Sequence, residues 1–489
     1  MTGSWLLWEP KSDKMIQSAS VIFPQFQSLG GPKTGNSKGS LSNIVHRAAL
    51  GSVSMERYFH IENTAIEMLP LTKDITIPEH LGQALSGRYQ DHWRAAFKCE
   101  LNQILAWDVL EEVPKTGEMK TIGHHWVFDI KQQASGGIEK FKAWLVARGD
   151  RQQPGIDCTE AYAPTTSLMS LHLILAYTVC SRWPMASFDV SGAYLYSPVQ
   201  QTVFVEPHLK GKALRVKKAL YGMKQAGRCW WIFLSDILTQ MGFTAMEVDQ
   251  SLYIFGSSET TVAIWIHFDD GVVMSNSQVD ILNFMKHLCD EVEIKWHDTI
   301  TQIAYPQTII KTDLPLPALP ASNSNSKDAT PFCLVIGSLA YLVSGSHPDL
   351  AFVVHYLARH SMSPMGKHWG ILHHVMGYLL KMQSHRLMLQ PDNISLNLWS
   401  DAGWGGNLEH SQLGFMLKLG DAPILWTSKW QGVVALSTCA AEYVALSDST
   451  QHFVQAINQL SQLVKDFNKE IFCNNQAAVQ VSIDNHSRK

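Results

Sequence analysis

The chain has no surplus of positive charge. Its 39 Lys and Arg stand against 43 Asp and Glu, a net charge of −4, so any nucleic-acid contact has to come from a local patch. Its 8 cysteines (Cys99, Cys158, Cys180, Cys229, Cys289, Cys333, Cys439, Cys473) show no C-x-x-C spacing. That excludes a zinc ribbon or a dithiol redox motif and reads as reduced thiols in an intracellular protein. The 21 histidines include His124-His125 and His373-His374 but no metal-site pattern. The N-terminus lacks a basic region followed by an apolar one, so no secretory leader is expected. The longest apolar run, Leu168 to Val179, carries Ser170 and His172 and is too short to span a bilayer. A buried helix is expected there. These absences point to the cytoplasm, with nuclear entry left open.

What is present is a globular composition, 46% hydrophobic over 489 residues, with room for about three domains. Within Val262–Met274 the tripeptide Asp269-Asp270-Gly271 stands between two apolar runs. The pattern predicts two strands joined at a tight Asp-Asp-Gly turn. Asp189 closes another short apolar run, Met185-Ala-Ser-Phe-Asp189. An Asp at one strand end and an Asp pair in a neighbouring hairpin can clamp two Mg²⁺ ions for in-line phosphoryl transfer. Between Lys210 and Arg228 stand 7 Lys or Arg and no Asp or Glu. That stretch is either a solvated basic face or a phosphate contact.

Periodicity predicts a helix from about Asp91 through Leu105 and a second along Trp230, Phe233, Leu234, Ile237, Leu238 and Met241. Ile122–Lys131 and Phe141–Arg148 read as a β-ribbon able to fold over a substrate. Short β-like pieces are expected at Trp5–Trp8 and Ala19–Phe23, and linkers at 28–55 and 314–329. Helices are expected near 349–362 and 368–381. Strands near 396–400, 413–419 and 423–427, a helix from Thr438 and a strand at Glu470–Cys473 then give a β-β-β-α-β order with acidic residues, a second candidate metal-dependent site.

Several ordered blocks resemble the polymerase region of copia-type (pseudoviral) LTR retrotransposon polyproteins. They are Trp126-Val-Phe128 with Lys131, Phe141-Lys-Ala-Trp-Leu-Val-Ala-Arg-Gly149, and Gln153-Pro-Gly-Ile-Asp157 with Glu160–Pro164. Phe188-Asp-Val190 with Ala193-Tyr-Leu195, Ala219–Trp230 and His267-Phe-Asp-Asp270 follow. Ile336–Leu342 with His347–Phe352, Ser400-Asp-Ala-Gly-Trp404 and Ala440-Ala-Glu-Tyr443 complete the series. The resemblance implies an α+β fold: a right-hand polymerase with fingers, palm and shortened thumb, then a connection and a truncated RNase H-like domain. The implied divisions are 1–27, a remnant of an integrase C-terminal tail; 28–75, linker; 76–312, fingers, palm and shortened thumb; 313–395, linker and connection; and 396–489, RNase H-like.

The resemblance further implies an RNA-directed DNA polymerase in which Asp189, Asp269 and Asp270, with the Val190 carbonyl, ligate two Mg²⁺ or Mn²⁺. Tyr194 stands where the family carries an aromatic gate against the ribose 2′-hydroxyl. Lys142 and Arg148 would hold the triphosphate, and Tyr221, Lys224 and Gln225 would border the nascent base pair and template. In the C-terminal domain Asp401 and Glu442 would bind metal for hydrolysis of the RNA strand of a hybrid. The implied partners are an RNA template, a DNA primer, an RNA–DNA hybrid and dNTPs.

The chain departs from the family pattern at five places. Trp144 replaces an Arg on the ribbon, and His267-Phe268 replaces Tyr-Val before the Asp pair. The stretch between Trp296–Ile300 and Pro315–Pro320 is short for a thumb. Asn474 stands where the family has an Asp, and a final acidic ligand is expected beyond Lys489. An RNase H site reduced to Asp401 and Glu442 is expected to hydrolyse poorly. The alternative readings are an inactive element remnant that keeps the fold, or a protein that at most binds nucleic acid.

Overall fold

The computed structural model describes residues 5–9, 14–18, 75–117, 119–132, 137–164, 166–206, 211–256, 259–297, 330–382, 387–406 and 410–483. The expected strand at Ala19–Phe23, the linkers at 28–55 and 314–329, the stretch expected to be a shortened thumb (298–329) and the final residues 484–489 lie outside the described residues. Near the N-terminus, β1 (Trp5–Glu9) and β2 (Lys14–Ser18) form an antiparallel hairpin, as the Trp5–Trp8 pattern suggests.

The first layered unit, expected to be the fingers, begins with α1 (Leu81–Ser86) and α2 (Gln90–Ala106). It continues through β3 (Leu110–Pro114), β4 (Thr121–Ile122), β5 (His124–Gln132) and β6 (Ile138–Ala147). The apolar residues of α2 recur at helical spacing, and Trp93, Ala96 and Ile104 turn inward. They meet the alternate residues Phe141, Ala143, Leu145 and Ala147 of β6, whose neighbours Lys142, Trp144 and Val146 take the opposite face.

Glu100 is carried into this core by α2. Its Oε1 accepts from the Leu145 N–H at 3.4 Å, and burial pushes its carboxyl up to about 7 from 4.5. A raised folded pKa contributes stability that is complete below about 4.5 and lost as pH rises through about 7. Glu100→Gln is therefore expected to flatten the fall in stability between pH 5 and 8, read as urea midpoints at the two ends. An unchanged slope would count against a buried, proton-binding Glu100.

The stretch that holds the central sheet contains α3 (Leu168–Cys180), β7 (Met185–Val190), β8 (Pro198–Val205), β9 (Lys212–Lys218) and α4 (Ala226–Gln240), with β8 and β9 in a separate sheet ordered β3-β9-β8-β4. It is completed by β10 (Thr244–Ala245), β11 (Leu252–Gly256), β12 (Thr261–His267), β13 (Asp270–Ser275), α5 (Gln278–Glu291) and β14 (Ile294–His297). Six strands run in the order β10-β11-β12-β13-β7-β14, every adjacent pair antiparallel. The expected apolar stripe of α4 lies inward through Trp230, Leu234, Ile237 and Leu238.

Helices cover both faces of this sheet. One face, with Phe188, Val190, Ile264 and Val273, packs on α4 and α5. The other, with Ala263, Trp265, Val272 and Met274, packs on Leu171, Ile174 and Leu175 of α3. The reason is legible in β12 and β13, which are near-continuous apolar runs rather than alternating ones, so both faces must be covered.

Next come α6 (Thr330–Ser346), α7 (Ala351–Ala358) and α8 (Gly366–Lys381), which share a core around Leu339, Leu357 and Trp369. The C-terminal part contains β15 (Ser395–Gly403), β16 (Gln412–Leu419), β17 (Ala422–Trp430), α9 (Thr438–Leu460), β18 (Asn468–Cys473) and α10 (Gln476–Ile483). Its sheet order is β17-β16-β15-β18, antiparallel except for the parallel β15–β18 pair. That is the expected β-β-β-α-β order. Together the described elements make a mixed α+β molecule.

Candidate nucleotide-transfer site and a second acidic centre

The turn between β12 and β13 falls one residue earlier than the sequence suggested. His267 pairs with Asp270, so the turn residues are Phe268 and Asp269, and Asp270-Gly271 already belong to β13. Phe268 takes the turn's left-handed conformation at φ 55. Its carbonyl accepts from the Trp230 indole N–H at 2.6 Å, which ties the hairpin tip to α4.

Asp270 stands directly across from Asp189 in the β13–β7 pair. Cross-strand partners share a face, so the two carboxylates project to the same side. The Val190 N–H donates to the Asp269 carbonyl at 2.8 Å and brings the third acid to the same corner. The Asp269 carboxyl is pushed up, first by burial and then by the charge of Asp189, with Lys142 and His267 acting the other way. Three acids are thus crowded together with partial cationic relief from the fingers ribbon.

Two residues that sequence reasoning did not place in the site join it through register. His267 is opposite Asp270 and Lys295 is opposite Asp189. The His267 ring stacks on Trp265 at 5.9 Å, and its Nδ1 lies 2.7 Å from the Thr166 hydroxyl. A two-residue hairpin turn, which pairs residue i with i+3, could have placed His267 beside Asp270, but nothing local in the sequence announces the β14 pairing that brings Lys295.

The expected substrate contacts divide. Tyr194 and Tyr221 meet edge to face at 5.2 Å, and burial followed by the charge of Asp269 raises the Tyr194 hydroxyl. Burial, then Glu100 and Asp269 among other groups, raises Tyr221 further. Lys142 lies 5.4 Å over the Trp144 ring, on the ribbon face opposite the fingers core.

Arg148 is engaged elsewhere. Its Nε and Nη2 donate to both carboxylate oxygens of Asp150 at 3.0 and 2.6 Å, and that pairing holds the Asp150 carboxyl down to about 2. Gln225 is turned inward, 1% exposed, donating to the Asp157 carbonyl at 3.0 Å and accepting from Gln152 at 3.0 Å. The Lys224 ammonium donates to the Gln152 carbonyl at 3.0 Å. Lys224 and Gln225 therefore hold the 152–157 turn in the structure as it stands.

The basic stretch is also less bare than its sequence. Lys212, Arg215 and Lys217 on β9 face Glu112, Glu111 and Asp108, and Arg228 faces Glu160. Lys210 lies outside the described residues. Antiparallel pairing with β3 supplies the carboxylates, which a one-dimensional charge count cannot see.

At the other end of the chain Asp401 lies on β15 and Glu442 in the second turn of α9, whose start is capped by the Ser437 hydroxyl accepting from the Ala440 N–H at 3.1 Å. The parallel pair Ser400–Cys473 puts Asn474 beside Asp401, and the Asn474 amide donates to Asp401 Oδ1 at 3.0 Å. Glu442 Oε2 is buried without a hydrogen-bond partner. Burial, then the charge of Asp401, pushes that carboxyl up to about 7.

Among the described residues no group of three or more His, Cys, Asp or Glu is gathered closely enough to hold a metal by itself, and no helix is long and apolar enough to cross a membrane.

Residues 105–304 match the family described as "Reverse transcriptase (RNA-dependent DNA polymerase)". The chain is 27% identical over 440 residues to the retrovirus-related Pol polyprotein from transposon RE2 of Arabidopsis thaliana, covering 81% of this chain and 30% of that protein. The chain is similar to the reverse transcriptase region of copia/Ty1-type Pol polyproteins. The corresponding polyprotein from transposon TNT 1-94 of Nicotiana tabacum is 22% identical over 84% of this chain and 35% of its own length. The Ty1-DR5 Gag-Pol polyprotein of Saccharomyces cerevisiae is 23% identical over 81% of this chain and 26% of its own length. The chain thus spans about a third or less of the length of these polyproteins. A solved structure described as foamy viral protease-reverse transcriptase dRH in complex with ds DNA aligns at a TM-score of 0.45 and 10% identity, covering 81% of this chain and 65% of that one.

Proposed function

We propose that the chain performs RNA-directed DNA synthesis at Asp189, Asp269 and Asp270. The observation that carries this reading is the register pair Asp270–Asp189, which places two carboxylates on one face at the open end of a buried sheet. The donor set fits Mg²⁺ or Mn²⁺, hard ions that are often held by one or two carboxylates with substrate phosphates completing the shell. Such sharing with the triphosphate accounts for a site that is not a closed protein cage. The raised Asp269 carboxyl supports the same fit, because a cation would relieve the crowding of like charges. When bound, the ions supply Lewis-acid activation of a primer hydroxyl and charge neutralisation at the phosphates.

The chain's own groups then orient the reactants. Lys142 faces the acids from the ribbon and is suited to a phosphate oxygen. Tyr194, braced edge-on by Tyr221, forms a rigid wall suited to sensing the sugar. Arg148 would first have to leave Asp150 to reach a triphosphate. An RNA template, a DNA primer and dNTPs are the corresponding substrates. The test is primer extension on a primed RNA template with Mg²⁺ or Mn²⁺. Extension by a folded protein supports the reading, and its absence supports the inactive remnant.

The C-terminal centre does not fit the RNase H chemistry implied by the family. Beside Asp401, where the resemblance implies a third carboxylate, stands the neutral amide of Asn474, which offers an N–H rather than a second anionic ligand. Asn474 also brings no charge to offset a cation. We propose that this centre is degenerate. Asp401-dependent cleavage of the RNA strand of a hybrid is expected to be at least about 100-fold below that of an intact RNase H, a loss seen even when a residue behind a metal ligand is removed. Efficient cleavage abolished by Asp401→Asn would overturn this.

A further inference from the structure

We propose that the C-terminal domain is a structural part of the carboxylate-bearing sheet, joined to it through α3, so that the two fold and open as one unit. Residues 169–178 of α3 are all buried. Leu171, Ile174 and Leu175 pack on the central sheet with Met246, Ala263, Trp265, Val272 and Met274. Met169, Leu173, Ala176 and Tyr177 lie in the core of the C-terminal sheet with Leu398, Phe415, Leu417 and Ile424. One helix thus contributes to two cores whose named strand residues lie more than a hundred residues apart in the chain.

The C-terminal segment leaves a place for it. Its long helix α9 packs over β15 and β16, while α10 lies beside α9 and β18. α3 takes the adjoining strip over β17. Without it, apolar residues of β16 and β17 would be left facing water, a cost that a sheet layer normally avoids by packing on another element.

The join is also hydrogen-bonded at buried positions. Gln459 of α9 donates to the Ser170 hydroxyl at 2.7 Å. His172 Nδ1 lies 3.1 Å from the Ile424 carbonyl, and the ring stacks on Trp426 at 5.5 Å. The Tyr177 hydroxyl donates to the Leu463 carbonyl at 3.3 Å. Buried polar groups left unpaired are costly, so these contacts favour one docked arrangement over sliding.

The coupling leads to the acids. α3 covers the same sheet face on which Asp189 and Asp270 project, further along the same two strands. Thr166, just before the helix, meets His267 opposite Asp270. Retention of a C-terminal domain with a degenerate acidic centre then has a physical reason: it holds the helix that backs the catalytic face. The inference concerns packing and stands whether or not the chain extends primers.

Hydrogen exchange read by mass spectrometry on the whole chain tests it. Ile424→Ala opens a hole in the C-terminal core, and Leu171→Ala opens one on the central-sheet side. Each is expected to speed the slowest amides of β7 and β13 and those of β16 and β17 together, by at least about tenfold in both regions. Gln459→Leu, a milder change that keeps the core volume, is expected to move both regions in the same direction by a smaller factor. Faster exchange confined to 395–430 in Ile424→Ala, with β7 and β13 unchanged, would overturn the proposal. So would a Gln459→Leu protein altered only in its own domain, which keeps the test decisive if the alanine variants fail to fold.

Discussion

Asp270→Asn is expected to abolish primer extension, by at least about a thousandfold, while leaving the fold intact. The substitution keeps the shape of the side chain and removes one negative charge from a corner where three acids converge. Removing a single preorganised electrostatic group commonly costs 10²–10³ in rate, and loss of a metal ligand removes the ion's activation as well. Stability should not fall, because like charges crowded together without the ion oppose folding. The measurement is single-turnover extension beside a thermal melt. Extension surviving in Asp270→Asn at even a tenth of the wild-type rate would place the chemistry elsewhere. A wild-type protein that is folded yet inert would turn attention to salt-sensitive, metal-independent binding of RNA–DNA hybrid, which an inactive remnant could retain.

The second large effect is expected far from any charge. Gly222→Ala should detach the base of the fingers ribbon and destabilise the protein by about 2–5 kcal/mol, summing the cost of a left-handed conformation and of overpacking. Gly222 has φ +82, and a Cβ there would lie 2.4 Å from the Ala147 carbonyl oxygen and 2.5 Å from Val146 Cγ1. Backbone sits on the other side, so no flexible side chain can give way. The seam is closed from both directions: a Cβ on Gly149 would lie 2.0 Å from the Gly222 carbonyl oxygen. The Ala147 N–H donates to the Tyr221 carbonyl at 2.8 Å across it. Separating the strands would therefore also displace Tyr221 from Tyr194. Urea denaturation of Gly222→Ala and exchange of the β5–β6 amides check this. A stability within about 0.5 kcal/mol of wild type, the range of an ordinary surface change, would show that the seam relaxes freely.

The polar sequence around residues 152–160 illustrates how roles shift between sequence and structure. Gln225 and Lys224 read as nucleic-acid contacts when lined up with the family, and Arg228 as the end of a basic stretch, yet their polar atoms are committed to Gln152, Asp157, Tyr162 and Glu160. The hydrogen bonds of the turn they brace connect residues about seventy positions apart, a pairing no local pattern encodes. Lys142 and Tyr194 are coupled electrostatically to Asp269, because β6 and the 193–196 turn bring them to the acid corner.

The sequence by itself determined the elements and the identity of the acids. Alternation in 141–147, the 3.6-residue stripe of α4 and the apolar runs flanking Asp269-Asp270 arise from nearest-neighbour geometry, which composition and spacing encode directly. Tertiary structure alone decided the turn at Phe268-Asp269, the pairing of Asp270 with Asp189, the neutralisation of β9 by β3, and the capture of Asp401 by Asn474. It alone decided, too, that α3 has two partners. Each of these depends on strand register or on contacts between distant segments. A shift of one residue in register reverses which side chains meet, and the sequence of either strand read alone is nearly indifferent to that choice.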